Sequence, residues 1–155
     1  DDDMSGGNGN DLLRGQAGLD SLSGQWGDDI LIGGDDRDVI FGNQGRDLMI
    51  GGGGIDDVNG DIGDDIIVGD STSYDNDDTS LLSIMSEWRA TGPDFATRVS
   101  TITTGPGPNL TTSNILADSA IDNLIGKTGP DLIFQRVGED IVFAPTADDD
   151  IMFVM

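Results

Sequence analysis

The sequence predicts an all-β chain, a right-handed parallel β-roll with a small helical insertion. Three observations carry this. Residues 6 to 68 fall into seven rows of nine without a gap, four positions of the row keep their chemistry throughout, and the same phase returns from residue 117. The rows read GGNGNDLLR, GQAGLDSLS, GQWGDDILI, GGDDRDVIF, GNQGRDLMI, GGGGIDDVN and GDIGDDIIV. A fixed short period of this kind marks a solenoid, in which each repeat completes its core only by stacking on its neighbours.

The first position is always glycine: Gly6, Gly15, Gly24, Gly33, Gly42, Gly51 and Gly60. The fourth is glycine at Gly9, Gly18, Gly27, Gly45, Gly54 and Gly63, with Asp36 the exception. Glycine at these two positions is expected to supply positive φ and close backbone approach in a tight turn. The eighth position is always aliphatic or methionine: Leu13, Leu22, Leu31, Ile40, Met49, Val58 and Ile67. The three residues after the aspartate suit a brief strand. Stacked two rows per coil, such strands form two parallel sheets with the eighth-position side chains between them. Alternation turns positions seven and nine outward.

The sixth position is always aspartate: Asp11, Asp20, Asp29, Asp38, Asp47, Asp56 and Asp65, with Asp2 fitting as the sixth residue of an earlier row. Weaker rows from 117, 126, 135 and 144 place Asp122, Asp131, Asp140 and Asp149 sixth. Two rows per coil sort these into two columns of turns, Asp11, Asp29, Asp47 and Asp65 in the odd column and Asp20, Asp38 and Asp56 in the even one. Carboxylates stacked so closely repel. A hard divalent cation between successive turns removes the conflict, taking six to eight oxygens from carboxylates and turn carbonyls. The adjacent pairs, with Asp2–Asp20, Asp122–Asp140 and Asp131–Asp149 added, lead us to expect about five to eight Ca²⁺ ions. Zinc and copper are poorly served, because the chain has no His and no Cys.

These rows resemble the repeats-in-toxin family, whose hemolysin-type nonapeptide G-G-x-G-x-D-x-U-x binds Ca²⁺ in a parallel β-roll. The resemblance is strong over residues 1 to 70 and partial over 117 to 155. It implies side-chain ligation by the sixth-position aspartates and backbone ligation by the glycine carbonyls of positions one and four. It also implies folding on export from a calcium-poor cytosol into an extracellular or cell-surface location. The second position departs from the pattern at Gln16, Gln25, Asn43 and Asp61. The run Asp148-Asp149-Asp150 before Ile151-Met152-Phe153-Val154-Met155 resembles the acidic-then-apolar end of type I secreted members, and it reads equally as one more strand. The start at Asp1, with no signal-peptide pattern, fits processing, excision or another export route.

The chain is thus expected to divide into a roll over 1–70, an insertion over 71–116 and degenerate repeats over 117–155. In the insertion the period fails. Asp77, Asp78 and Thr79 are candidate caps before Leu81, Leu82, Ile84, Met85 and Trp88 at helical spacing. Gly92-Pro93 ends that helix, and Phe95, Val99 and Ile102 suggest a second. The outward positions of the odd repeats include Ile30, Ile32, Leu48, Ile50, Ile66 and Val68, an apolar stripe that a soluble monomer would not leave wet. Either the insertion covers it or another molecule does.

Composition narrows the function. A formal charge of −23, from seven Lys and Arg against thirty Asp and Glu, opposes binding to nucleic acid or anionic membranes. No run is long and apolar enough to span a bilayer. Without His or Cys the usual triads and thiol nucleophiles are missing, and no phosphate loop is present. Nearly every aspartate already has a repeat position, so a carboxylate pair for glycoside hydrolysis has little to draw on. The expectation is a non-enzyme: a calcium-folded structural or interaction module of a secreted bacterial protein. The alternatives are a protomer of a calcium-dependent filament, matrix or surface layer, with homo-oligomeric contacts, and an adhesin using the insertion.

Overall fold

The ladder joins residues eighteen apart, so two nine-residue rows make one coil. Our computed structural model describes residues 1–111, 113–116, 118–136, 140–142 and 150–154. One sheet stacks β1 (Asp3–Asn8), β3 (Ser21–Trp26), β5 (Val39–Gln44), β7 (Asp57–Ile62), β10 (Asn123–Thr128) and β12 (Ile141–Val142). The other stacks β2 (Leu12–Ala17), β4 (Ile30–Asp35), β6 (Leu48–Gly53), β8 (Ile66–Thr72), β11 (Leu132–Arg136) and β13 (Asp150–Val154). All of these neighbours pair in parallel. This is the parallel β-roll the period predicts.

The strands are longer than the sequence suggests. From β1 to β8, and again in β10, each runs through positions seven to nine and on into positions one to three of the next row, so the first glycine lies inside a strand. Its role is therefore close approach, and the positive φ falls on positions two and four instead. At position four glycine meets this need, as at Gly45 (φ 146). At position two Gln16, Gln25, Asn43, Asp61 and Lys127 take φ between 71 and 78, a region that costs a side-chain-bearing residue energy. Our expectation of positive φ at position one was wrong because the bend lies one residue later.

The eighth-position side chains meet between the sheets as predicted. Leu22, Leu31, Ile40, Met49, Val58 and Ile67 are fully buried in one cluster, extended after the insertion by Leu124 and Ile133. This layer is one side chain thick from each sheet, and each buried aliphatic contributes roughly 1.5–3 kcal/mol.

The insertion leaves the register intact. The offset between paired residues is 18 from β5 to β7 and 66 from β7 to β10, so 48 residues are set aside and the coil resumes in phase. A short antiparallel stem, β8 with β9 (Ile115–Leu116), closes its neck. Between lie α1 (Asp78–Trp88), capped by Asp77 on the Ser80 N–H, and α2 (Phe95–Thr104), capped by Asp94 on the Thr97 N–H. Leu81, Ile84, Met85, Trp88 and Ile102 pack on Ile30, Ile32, Leu48, Ile50, Ile66 and Val68, joined by Leu132 and Phe134. The insertion itself covers the apolar stripe. No helix of the described residues is long and apolar enough to cross a membrane.

Ile50 is fully buried in this second core, whereas Ile62 is 57% exposed. Denaturant unfolding at fixed calcium is expected to show Ile50→Ala losing about 2–5 kcal/mol and Ile62→Ala staying within about 0.5 kcal/mol.

Candidate metal centre

The stacking of two rows per coil puts successive sixth-position aspartates into direct contact. Each carboxylate Oδ1 accepts the backbone N–H of the aspartate one coil earlier. In the odd column Asp11, Asp29, Asp47 and Asp65 donate to Asp29, Asp47, Asp65 and Asp131 at 2.7, 2.7, 2.9 and 2.8 Å. In the even column Asp2, Asp20, Asp38, Asp56 and Asp122 donate to Asp20, Asp38, Asp56, Asp122 and Asp140 at 2.5, 2.8, 2.8, 2.9 and 3.3 Å. Asp149 lies outside the described residues. The links Asp56–Asp122 and Asp65–Asp131 cross the insertion. Sequence spacing hid them, because the rows on either side look like separate blocks.

The other carboxylate oxygen has a different fate. The Oδ2 atoms of Asp11, Asp20, Asp29, Asp38, Asp47, Asp56 and Asp65 are buried with no hydrogen-bond partner. An ionised oxygen in that state is costly unless a cation meets it. Each faces the space beside the first glycine of its own row, and the carbonyl of the first glycine one coil later faces the same space. A Cβ on Gly42 would lie 2.6 Å from Asp47 Oδ2 and 2.8 Å from the Gly60 carbonyl oxygen; on Gly6 it would lie 2.8 Å from Asp11 Oδ2 and 3.0 Å from that of Gly24. The missing side chain leaves a cradle where a carboxylate and a carbonyl converge with no donor between them. Oxygen donors at such spacing suit a hard cation such as Ca²⁺, whose oxygens stand 2.3–2.6 Å away.

The cradle recurs at Gly15, Gly24, Gly33, Gly51 and Gly60, and at Gly69 the carboxylate of Asp122 faces the glycine in the same way. Row eight is thus composite, with its first glycine before the insertion and its aspartate after it. The fourth-position carbonyls of Gly9, Gly27, Gly45 and Gly63 point at the fourth-position glycine of the next coil, again between turns. In the other column Gly18 lies against Asp1, and Gly54 against the Asp36 carbonyl. Among the described residues no three acidic side chains converge on one point. A cation here would take one or two carboxylates and draw its remaining oxygens from the backbone.

The columns are electrostatically loaded. Burial pushes Asp38 up to about 6, Asp47 and Asp56 to about 7, Asp122 to about 8 and Asp65 to about 9. The N–H donated from the coil below pulls each back, and the stacked carboxylates push again in the upward direction. Beside the odd column Asp64 holds the guanidinium of Arg98, with Arg46 Nε at 3.6 Å.

Fold and site together define a parallel roll whose stacked turns bring carboxylate and carbonyl oxygens together. Residues 5–40, 23–58 and 41–72 match the RTX calcium-binding nonapeptide repeat, so residues 5–72 are an array of those repeats. The chain therefore carries a calcium-binding β-roll module. No curated protein and no solved structure matches the chain.

A carboxylate whose folded pKa is raised stabilises the folded form at low pH and withdraws that support as pH rises through the folded value. In chelator, β structure is expected near pH 4 and is expected to be lost between about pH 6 and pH 9. Far-UV circular dichroism against pH, with and without calcium, checks this; a metal-free spectrum unchanged from pH 4 to 9 contradicts it.

Proposed function

We propose that this chain is a non-catalytic, extracellular calcium-binding module that folds when calcium fills its turn columns. It would serve as a structural or interaction part of a secreted or cell-surface bacterial protein. The carrying observation is the repeated cradle, in which a buried, unpartnered Asp Oδ2 and a backbone carbonyl converge beside the first glycine of each of the seven rows from Gly6 to Gly60. The ligand set we propose is Asp11, Asp20, Asp29, Asp38, Asp47, Asp56 and Asp65, continued by Asp122, Asp131 and Asp140, with the carbonyls of positions one and four. Asp2 is exposed at the edge and takes a lesser part. About five to eight ions follow, with one per gap between stacked turns as the ceiling.

The thin inter-sheet layer supports calcium-dependent folding. Without cations its burial must oppose both chain entropy and the repulsion of the stacked carboxylates. Extracellular calcium modules bind at roughly 10⁻⁴–10⁻³ M, far above cytosolic calcium, so folding would follow export. At neutral pH the expected result is a disordered circular-dichroism spectrum in chelator and a β spectrum in millimolar calcium. An unchanged β spectrum in metal-free protein would overturn the reading.

Self-association is a second reading, in which a strand edge at one end of the roll is a template for a strand of another copy. The two ends of a roll differ, so contact between them is head-to-tail. The lateral stripe plays no part, because α1 and α2 occupy it. Light scattering should show species beyond a dimer in millimolar calcium and not in chelator; monomer alone at high concentration would reject it.

A further inference from the structure

We propose that Asp64 couples the helical insertion to the odd turn column, so that calcium binding there latches the helices onto the roll and the docked helices tighten that binding. The inference rests on the calcium reading above and concerns its regulation.

Asp64 stands next to Asp65, in the fifth position of an odd turn. Its backbone carbonyl accepts the Trp88 indole N–H at 2.6 Å, and its carboxylate holds Arg98. Arg98 is 5% exposed, with its guanidinium 5.2 Å from the Trp88 ring and 5.8 Å from that of Phe95. One coil earlier, Arg46 occupies the same fifth position beside Asp47. Its N–H donates to Asp28 Oδ1 at 2.9 Å, its Nε lies 3.6 Å from Asp64, and its Nη1 reaches the Arg89 carbonyl at 3.4 Å, where α1 ends. Two successive odd turns are thus tied to the ends of the helices.

Among the described residues the even column has no such ties to the helices. Its fifth positions include Leu19, Ile55 and Ile121, which are 62%, 52% and 47% exposed. The segment meets that column where the chain returns, through Asp118 Oδ2 on the Gly54 N–H at 2.8 Å.

Asp64 cannot keep its partners if the turn spreads. The same peptide run that positions Asp65 positions the Asp64 carbonyl, and repulsion between the Asp47, Asp65 and Asp131 carboxylates acts on that run. A turn drawn together presents carbonyl and carboxylate to Trp88 and Arg98 at once; a turn forced apart leaves a buried guanidinium without its counter-charge, which is strongly unfavourable. Coupling between two binding events is reciprocal. The apolar stripe under the helices is then covered only when the odd column is filled.

The test uses Trp26→Phe protein, which leaves Trp88 as the single tryptophan. Trp26 is 59% exposed, so the change disturbs little packing. Trp88 emission and far-UV circular dichroism are read together across a calcium titration. Arg98→Ala should raise the calcium midpoint of the Trp88 blue shift roughly five-fold or more, with Arg98→Lys intermediate. In double-mutant cycles, Arg98→Ala with Asp47→Asn should shift the midpoint by less than the product of the single effects. Arg98→Ala with Asp38→Asn, in the even column, should give that product. An Arg98→Ala midpoint within about two-fold of the parent overturns the latch, as does equal coupling to both columns. Circular dichroism separates the two readings. A roll already folded in chelator defeats calcium-dependent folding, yet a Trp88 shift with calcium that Arg98→Ala displaces still upholds the latch.

Discussion

Acidic side chains recur every eighteen residues along each turn column, and the rest of the structure is arranged around their mutual repulsion. From Asp20 to Asp65 each stacked carboxylate satisfies one oxygen on the backbone of the coil below and leaves the other buried and unpartnered. The first accepts the N–H of the turn below and fixes the stacking distance. The second is a buried negative charge that, at neutral pH, a hard cation would meet. Burial and stacking push the middle carboxylates well above the ordinary range, so a metal-free, neutral-pH column is opposed by its own chemistry.

That opposition matters because the core is thin. One aliphatic residue per row fills the space between the sheets, and the strained second-position residues add a small cost in each coil that has one. Glycine at position one gives up a side chain so that carboxylate and carbonyl can converge, and the turn gains a cradle where packing atoms would otherwise sit. On the proposed reading, stability is placed in the turns and depends on their occupant. The same logic explains the charge of −23, which would be a burden on an ordinary domain of this size.

The insertion adds what the roll lacks. Forty-eight residues enter at one corner without disturbing the register, since their neck is a two-strand stem and the composite row takes Gly69 from one side and Asp122 from the other. The helices contribute Trp88, Met85 and Leu81 to a second core on the outer face of one sheet. At the odd turns Asp64 joins Trp88 and Arg98 to the turn that carries Asp65.

The period of nine was sufficient to read the roll, the two columns and the aliphatic layer from the residues alone, and helical spacing gave both helices. Each of these rests on short-range chemistry that repeats: an aspartate, a glycine or a branched chain at a set distance from the next. The apolar stripe of Ile30, Ile32, Leu48, Ile50, Ile66 and Val68 was equally legible, but not what covered it. Three features had no signature of that kind. Positive φ at Gln25 and its counterparts depends on where the strand bends after stacking. The continuity of Asp56 with Asp122 and of Asp65 with Asp131 depends on how 48 intervening residues fold back. The role of Asp64 depends on Trp88 and Arg98, which are distant in sequence and obey no repeat. Sequence alone determined the local, periodic contacts; the non-periodic ones arose only when the chain closed on itself in three dimensions.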